Sequence, residues 1–529
     1  MTSSRSWRKW VWGVATLATV GVLGASGDAN AEHKTSQPKA PSPPTGGGGG
    51  QQRQTPMPPK DSGCNDADAP GCILICKKGN MAACANVGWM YGHGKGGVSS
   101  DPMLAKQYYE MACNGNSSLA CNNLAYMYEH DSSMKDLERA VKLYDKACGL
   151  ANYIACYNLA TMWENGKGVP AIDGPKAVAF YTKACAGNEQ SGCYSAAYMH
   201  DHAKAGLPQN SLLAAQIYAK SCEPGGYASS CNNLGFLYEH GRGVAADPAK
   251  AAQFYEKGCK GGDNTGCANL GVMYEEGKGV AQSYATASGY YQKACDNNEA
   301  GACSNLAWLY EKGKGVAEDA PQAAKLYYKG CKAGNAFGCN NLGAMYEDGR
   351  GVAKDATSAV KYYSASCDGG NATGCFNLGT MYEAGSGIAK DEAMAQKLYK
   401  KACDEGSGSA CNNLGYIFMN AKPADNASAI RYYRQACTLK SGMGCYNYGY
   451  MHENMLGMTP PADFAKAAAL YKQACDLGQP RGCAHYGDLL YNGRGVAADK
   501  PTGVAFMQKG CKAGNQWGCD QLKSYGQTQ

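Results

Sequence analysis

Cysteine is the residue with the clearest chemical potential here: 28 of the 529 residues are cysteines, and they fall in pairs. The pairs are Cys76 and Cys84, Cys113 and Cys121, Cys148 and Cys156, Cys185 and Cys193, Cys222 and Cys231, Cys259 and Cys267, and Cys295 and Cys303. They continue as Cys331 and Cys339, Cys367 and Cys375, Cys403 and Cys411, Cys437 and Cys445, Cys475 and Cys483, and Cys511 and Cys519. Members are eight positions apart in every pair but Cys222 and Cys231, which are nine apart. A thiol pair either closes a disulfide or ligates a metal. A structural zinc site needs four converging ligands, and one pair per unit, with helices stacked about 10 Å apart, does not supply them. Two facing helix turns bring a local pair within disulfide reach. Closing such a nine-residue loop is worth roughly 2.5 kcal/mol in the chain-entropy description. So many cysteines also point to an oxidising compartment. Upstream, Cys64 and Cys72 repeat the spacing of eight, but Cys72 stands one helical turn before Cys76, which leaves its partner open.

A second row follows the same register. Two positions after the second cysteine stands an asparagine: Asn86, Asn123, Asn158, Asn233, Asn269, Asn305, Asn341, Asn377, Asn413 and Asn447, with Ser195 and His485 as replacements. Five positions after it the residue varies: Trp89, Tyr126, Thr161, Tyr198, Phe236, Val272, Trp308, Ala344, Thr380, Tyr416, Tyr450 and Asp488. An amide both donates and accepts, and exposed Trp and Tyr are common interface anchors. This pattern suits recognition of a ligand backbone by Asn and of its side chains by the variable neighbour, with Trp89 and Trp308 as anchors. The competing reading is a structural ladder in which each Asn bonds the loop of the adjacent repeat.

These registers require a repeating element. From pair to pair the step is 34 to 38 residues, the period of stacked supersecondary units. In Cys339–Cys367, apolar or small residues at Cys339, Leu342, Gly343, Met345 and Tyr346 mark one helix face. Gly349 and Gly351 end that helix, and a second carries Ala359, Val360, Tyr362 and Tyr363. Helices of about a dozen residues are marginal alone, so each buries its stripe by stacking. Twelve such pairs occupy 84–518, between an N-terminal cap at 64–83 and a C-terminal cap helix at 519–529.

The first 63 residues read differently. Arg5, Arg8 and Lys9, the run VWGVATLATVGVLGA and the small-x-small site Ala29-Asn30-Ala31 make 1–31 a secretory signal peptide. Its run of about 15 apolar residues is short for a membrane span, so none is expected after its removal. Residues 32–63, with seven prolines and the glycines 46–50, form a Pro/Gly-rich disordered tether. A mean hydropathy of −0.43 excludes a polytopic membrane protein. A net charge of +6 over 529 residues is too dilute for a nucleic-acid binder.

Units such as CNNLGFLYEHGRGVAADPAKAAQFYEKGC (231–259) resemble the Sel-one-like repeat, a relative of the tetratricopeptide repeat. The likeness lies in the L-G-x-x-Y first helix, the G-x-G-V loop, the following Asp and the second helix with its tyrosine. The paired cysteines narrow it to the secreted Helicobacter cysteine-rich proteins. The resemblance implies an all-α fold: an αα-hairpin solenoid, a right-handed superhelix of about twelve disulfide-stapled repeats. It also implies a concave groove for a protein or peptide ligand. That subclass carries a β-lactamase label, so the resemblance implies a second reading, a penicillin-binding protein with weak hydrolase activity and a β-lactam or peptidoglycan-derived ligand. A third is a structural periplasmic scaffold without a discrete ligand. The loops 131–137, 201–210, 420–426 and 453–462 depart from G-x-G-V.

A dedicated catalytic site is not expected. Ser132-Ser133-Met134-Lys135 fits S-x-x-K, Ser230-Cys231-Asn232 fits S-x-N and Lys440-Ser441-Gly442 fits K-S-G. These short matches lie repeats apart along a stack that cannot gather them. His200 and His202 are two apart and point to different sides of a helix. Neither a metal nor a cofactor is expected, and export to the periplasm or medium is.

Overall fold

The structure, a computed structural model, describes residues 63–65, 67–223, 226–457 and 461–527. The expected signal peptide and, apart from Gly63, the expected tether lie outside the described residues. Among the described residues there are 26 α-helices, one short 3-10 turn at Lys204–Gly206 and no strand. The helices are 9 to 13 residues long and, within each of two compact units, pack in chain order as an array of αα-hairpins. The chain divides into two compact units, one ending at Ala294 and the other beginning at Cys295.

Local chemistry sets each hairpin's limits. In the second unit, Asn335 Oδ1 accepts from Gly338 N (2.6 Å) and opens the helix Ala336–Asp348. Gly349, at φ 76°, closes it in the left-handed region. Asp355 accepts from Thr357 N (3.0 Å) to start Ala356–Asp368. Gly351 is required for a different reason: at φ 68°, a Cβ there would stand 2.3 Å from the Ala320 carbonyl carbon of the preceding hairpin. The loop thus lies directly on the start of its neighbour's second helix.

The core is one layer repeated. A buried tyrosine of the second helix fills it: Tyr109, Tyr144, Tyr181, Tyr218, Tyr255 and Tyr291 in the first unit, then Tyr327, Tyr363, Tyr399, Tyr433 and Tyr471 in the second. Met507 takes the place in the last repeat. The small residue of the first helix makes room for the ring. A Cβ on Gly343 would sit 2.7 Å from Tyr363 Cδ1, and one on Gly271 would sit 2.5 Å from Tyr291 Cε1.

Candidate functional site: the first-helix face

The disulfides fix where each first helix begins. All fourteen pairs, Cys64 and Cys72 included, are bonded with Cα–Cα distances of 4.3 to 5.1 Å. No cysteine among the described residues is free. Apart from Cys64–Cys72, which ties the segment before the helix Ala69–Lys77 to that helix, each bond joins the last turn of one helix to the first turn of the next first helix, so the residues two, five and nine positions on are carried in a fixed register.

The asparagine row points inward to its neighbours. Asn158, Asn269, Asn377 and Asn447 donate to the Oδ1 of Asn122, Asn232, Asn340 and Asn412 in the preceding repeat, at 3.2, 3.0, 2.9 and 2.8 Å. Asn122, Asn232 and Asn340 in turn donate to the adjacent Asn123, Asn233 and Asn341. Asn123 and Asn233 donate to the hydroxyls of Tyr109 and Tyr218, at 3.5 and 3.0 Å. Asn341 and Asn413 make the corresponding bond to Tyr327 and Tyr399. Asn86 sits beside the Cys64 sulfur at 3.6 Å. Asn86, Asn123, Asn233, Asn269 and Asn305 are buried. The expectation that the row holds a ligand's backbone is corrected for these five, because their amides are sealed among helices. The ladder itself differs from the alternative reading too. Its partners are tyrosine hydroxyls and asparagine amides rather than a loop.

A glutamate that the sequence reading passed over completes the network. Eight positions after the second cysteine stand Glu129, Glu164, Glu239, Glu275, Glu311, Glu347, Glu383 and Glu453, with Gly92, Asp201, Met419 and Tyr491 in the other repeats. Each glutamate accepts from the buried tyrosine of its own repeat, at 2.6 to 2.9 Å. Where the loop carries Arg, it clamps the acid of the preceding repeat: Arg350 to Glu311 at 2.5 Å and Arg242 to Asp201 at 2.9 Å. Burial opposes ionisation of Glu311, but Arg350, Lys312 and the Tyr327 hydroxyl outweigh it and hold its pKa below the ordinary value. Burial, then the neighbouring carboxylate, pushes the Tyr327 hydroxyl well above the usual tyrosine range.

The variable position lies beside this network. Trp89, Tyr126, Thr161, Trp308, Ala344 and Thr380 are half-buried, and Tyr416 and Tyr450 are exposed. Tyr198, Phe236, Val272 and Asp488 are buried. In the first unit four aromatics at this position lie against a histidine one turn later, with centroids 4.1 to 4.6 Å apart: Trp89, Tyr126 and Tyr198 stack on His93, His130 and His202, and Phe236 meets His240 at a tilt of 30°. In each, His Nδ1 lies 2.8 to 3.1 Å from the aromatic residue's carbonyl oxygen. In the second unit Asn420 and Asn454 make the same bond to Tyr416 and Tyr450.

The catalytic candidates are held otherwise. Ser230 is buried and donates to Ser221 Oγ (2.9 Å), with no surface at which to attack a substrate. Ser132 and Lys440 are exposed in turns, and Lys135 is exposed in the loop that follows Ser132. Burial lowers the pKa of His200. His202 meets Asp201 at 3.5 Å, and no group of three metal-ligating side chains occurs among the described residues.

The repeat unit has a known counterpart. The Sel1 repeat model matches twelve successive segments, from 82–117 to 480–515, with breaks of at most two residues between them. The chain belongs to the Sel1 repeat family. It is similar in structure to c5321, a protective antigen of uropathogenic Escherichia coli with an SLR fold, at 25% identity and a TM-score of 0.56, over 79% of this chain and 91% of that one. It is also similar to a Sel1 repeat protein from Oxalobacter formigenes, at 26% identity and a TM-score of 0.39, over 42% of this chain and 90% of that one. A further similar structure is cysteine-rich protein B of Helicobacter pylori, at 36% identity and a TM-score of 0.21, over 24% of this chain and 92% of that one. No curated protein matches the chain. The Sel1 solenoid is a scaffold fold, consistent with protein–protein interaction.

Proposed function

We propose that the protein is an exported scaffold that binds protein or peptide partners through the face lined by its first helices. Recognition falls to the variable positions, with Trp89, Tyr126, Trp308, Tyr416 and Tyr450 as anchors, and the asparagines serve chiefly as the rigid ladder behind them. The observation that carries this reading is the contrast within one helix turn: most of the repeated amides bond their neighbours, while the residues three positions on vary, and eight of the twelve reach solvent. Such a surface is preorganised, which lowers the ordering cost of binding. Export is supported by fourteen closed disulfides, which persist in oxidising compartments, and by the signal-like residues 1–31. No helix among the described residues is long and apolar enough to cross a membrane.

The test is capture from cell-envelope extract by oxidised mature protein, run beside Trp308→Ala/Tyr416→Ala/Tyr450→Ala. The variant should keep its Tm and lose captured partners. An unchanged set of partners would sink the assignment.

A further inference from the structure

Away from the variable positions of the first helices, the second unit carries a groove of about 450 Å³ between the hairpins 300–335 and 336–371. Three tyrosines build it. Tyr346 stacks on Tyr362 with centroids 5.5 Å apart, and Tyr328 of the preceding hairpin meets Tyr362 edge-on at 6.4 Å. Pro321, Leu342 and Val352 complete the apolar lining.

Tyr328 is the unusual member. It follows the buried core tyrosine of its helix, a place that faces solvent. The residues in that place elsewhere are Glu110, Asp145, Thr182, Ala219, Glu256, Gln292, Ser364, Lys400, Arg434, Lys472 and, after Met507, Gln508. None is aromatic. Tyr328 is 44% exposed, so packing does not account for it. Its ring serves to wall the groove. The rim is cationic: Lys325 lines the groove, Lys332 Nζ lies 5.5 Å from the Tyr328 centroid and Lys361 Nζ lies 5.5 Å from that of Tyr362. All three lysines are exposed, and no carboxylate lines the groove.

Stacked and edge-on tyrosines leave slots between rings that accept pyrrolidine rings, and their hydroxyls donate to the solvated carbonyls of an extended polyproline helix. Such a segment is already extended and loses little entropy on docking. The lysine rim selects among such segments by charge. We infer that this groove binds a proline-rich segment of another protein, one whose prolines are flanked by Asp or Glu. This site shares no residue with the proposed partner face, so the two stand or fall separately. The chain's own proline-rich stretch is a poor occupant by the same charge rule, since Lys39, Arg53 and Lys60 accompany its prolines.

The test uses oxidised full-length mature protein and three fluorescent peptides: a PxxP peptide with glutamate flanks, the same core with lysine flanks, and a glutamate-flanked version with prolines replaced by alanine. The first should bind at least tenfold tighter than either other. Tyr328→Ser, which installs the residue that the next repeat carries at Ser364, should abolish that advantage with no change in Tm. Lys325→Glu/Lys332→Glu/Lys361→Glu should reverse the charge preference. Equal binding of the proline and alanine peptides, or unaltered binding by Tyr328→Ser, overturns the site. Tighter binding of a peptide copying residues 36–60 than of the glutamate-flanked peptide overturns the charge rule and reassigns the groove to the chain's own segment.

Discussion

The three consecutive hairpins of 300–407 and the one that follows, 408–441, solve the same packing problem with different polar chemistry. In the first three, Tyr327, Tyr363 and Tyr399 donate to Glu311, Glu347 and Glu383 at 2.9, 2.6 and 2.6 Å. In the fourth, the equivalent Tyr433 faces the Met419 sulfur at 3.9 Å, and its loop replaces Gly-x-Gly with Asn420-Ala421-Lys422. Tyr433 is nonetheless fully buried, and Gly415 beneath it is retained, its absent Cβ 2.6 Å from the ring. What the stack demands of every hairpin is volume: a large side chain on one helix, a ring in all but the last, and a small residue on the other. The carboxylate and the glycine loop add specificity and tie one repeat to the next.

The contrast is broken most severely at the loop. Gly351→Ala imposes a side chain at φ 68° and drives it into the Ala320 backbone. Clash and backbone strain together should cost about 3 kcal/mol or more. Ala421→Ser, in a loop without that glycine, should stay within about 0.5 kcal/mol. Urea titration of the oxidised protein with hydrogen exchange across 300–441 measures both. Similar losses at the two loops would show that the close approach at Gly351 is unimportant.

The tyrosine bond gives the next largest difference. A buried hydrogen bond to a charged acceptor is worth about 1.5–3 kcal/mol, so Tyr327→Phe should destabilise its unit by that amount. Tyr433→Phe, which removes only a contact to sulfur, should cost less than about 0.5 kcal/mol. Equal effects would mean that Glu311 contributes nothing through Tyr327.

The same contrast explains what was legible in the sequence. The twelve hairpins and the disulfide register follow from spacing, because helix period and loop length act locally. The polar partners do not. A row of Asn at constant spacing looks alike whether it lines a groove or crosses a seam; only the rotation of Asn341 toward Tyr327 and of Asn377 toward Asn340 decides. The glutamate row recurs in eight of the twelve repeats but lies outside the apolar stripe, so nothing in the sequence ties Glu311 to Tyr327; only the packed hairpin does. Tyr328 was invisible for the opposite reason, being a single departure in a position that otherwise varies freely.

The ladder supplies a smaller effect. Asn341→Ala and Asn377→Ala each remove one hydrogen bond between repeats, worth about 1 kcal/mol, and should lower Tm while the folded protein retains its partners. Loss of partner affinity at unchanged Tm would return the asparagines to the binding face.

The smallest expected effect concerns acid, and it again separates the two kinds of hairpin. The Glu311 carboxylate has a folded pKa below its ordinary 4.5, because Arg350, Lys312 and Tyr327 favour the charged form over the opposing effect of burial. A depressed carboxylate pKa stabilises the fold in full above the unfolded value, and that contribution is lost as pH falls through the folded one. The stability gap between the wild type and Glu311→Gln should therefore be flat from about pH 6 to 8 and narrow as pH drops below about 4.5. No carboxylate meets Tyr433, so the gap between the wild type and Tyr433→Phe should be flat over the same range. Thermal melts of the three proteins at stepped pH measure this directly. A Glu311→Gln gap that widens in acid would mean that burial, rather than the arginine clamp, governs the carboxylate.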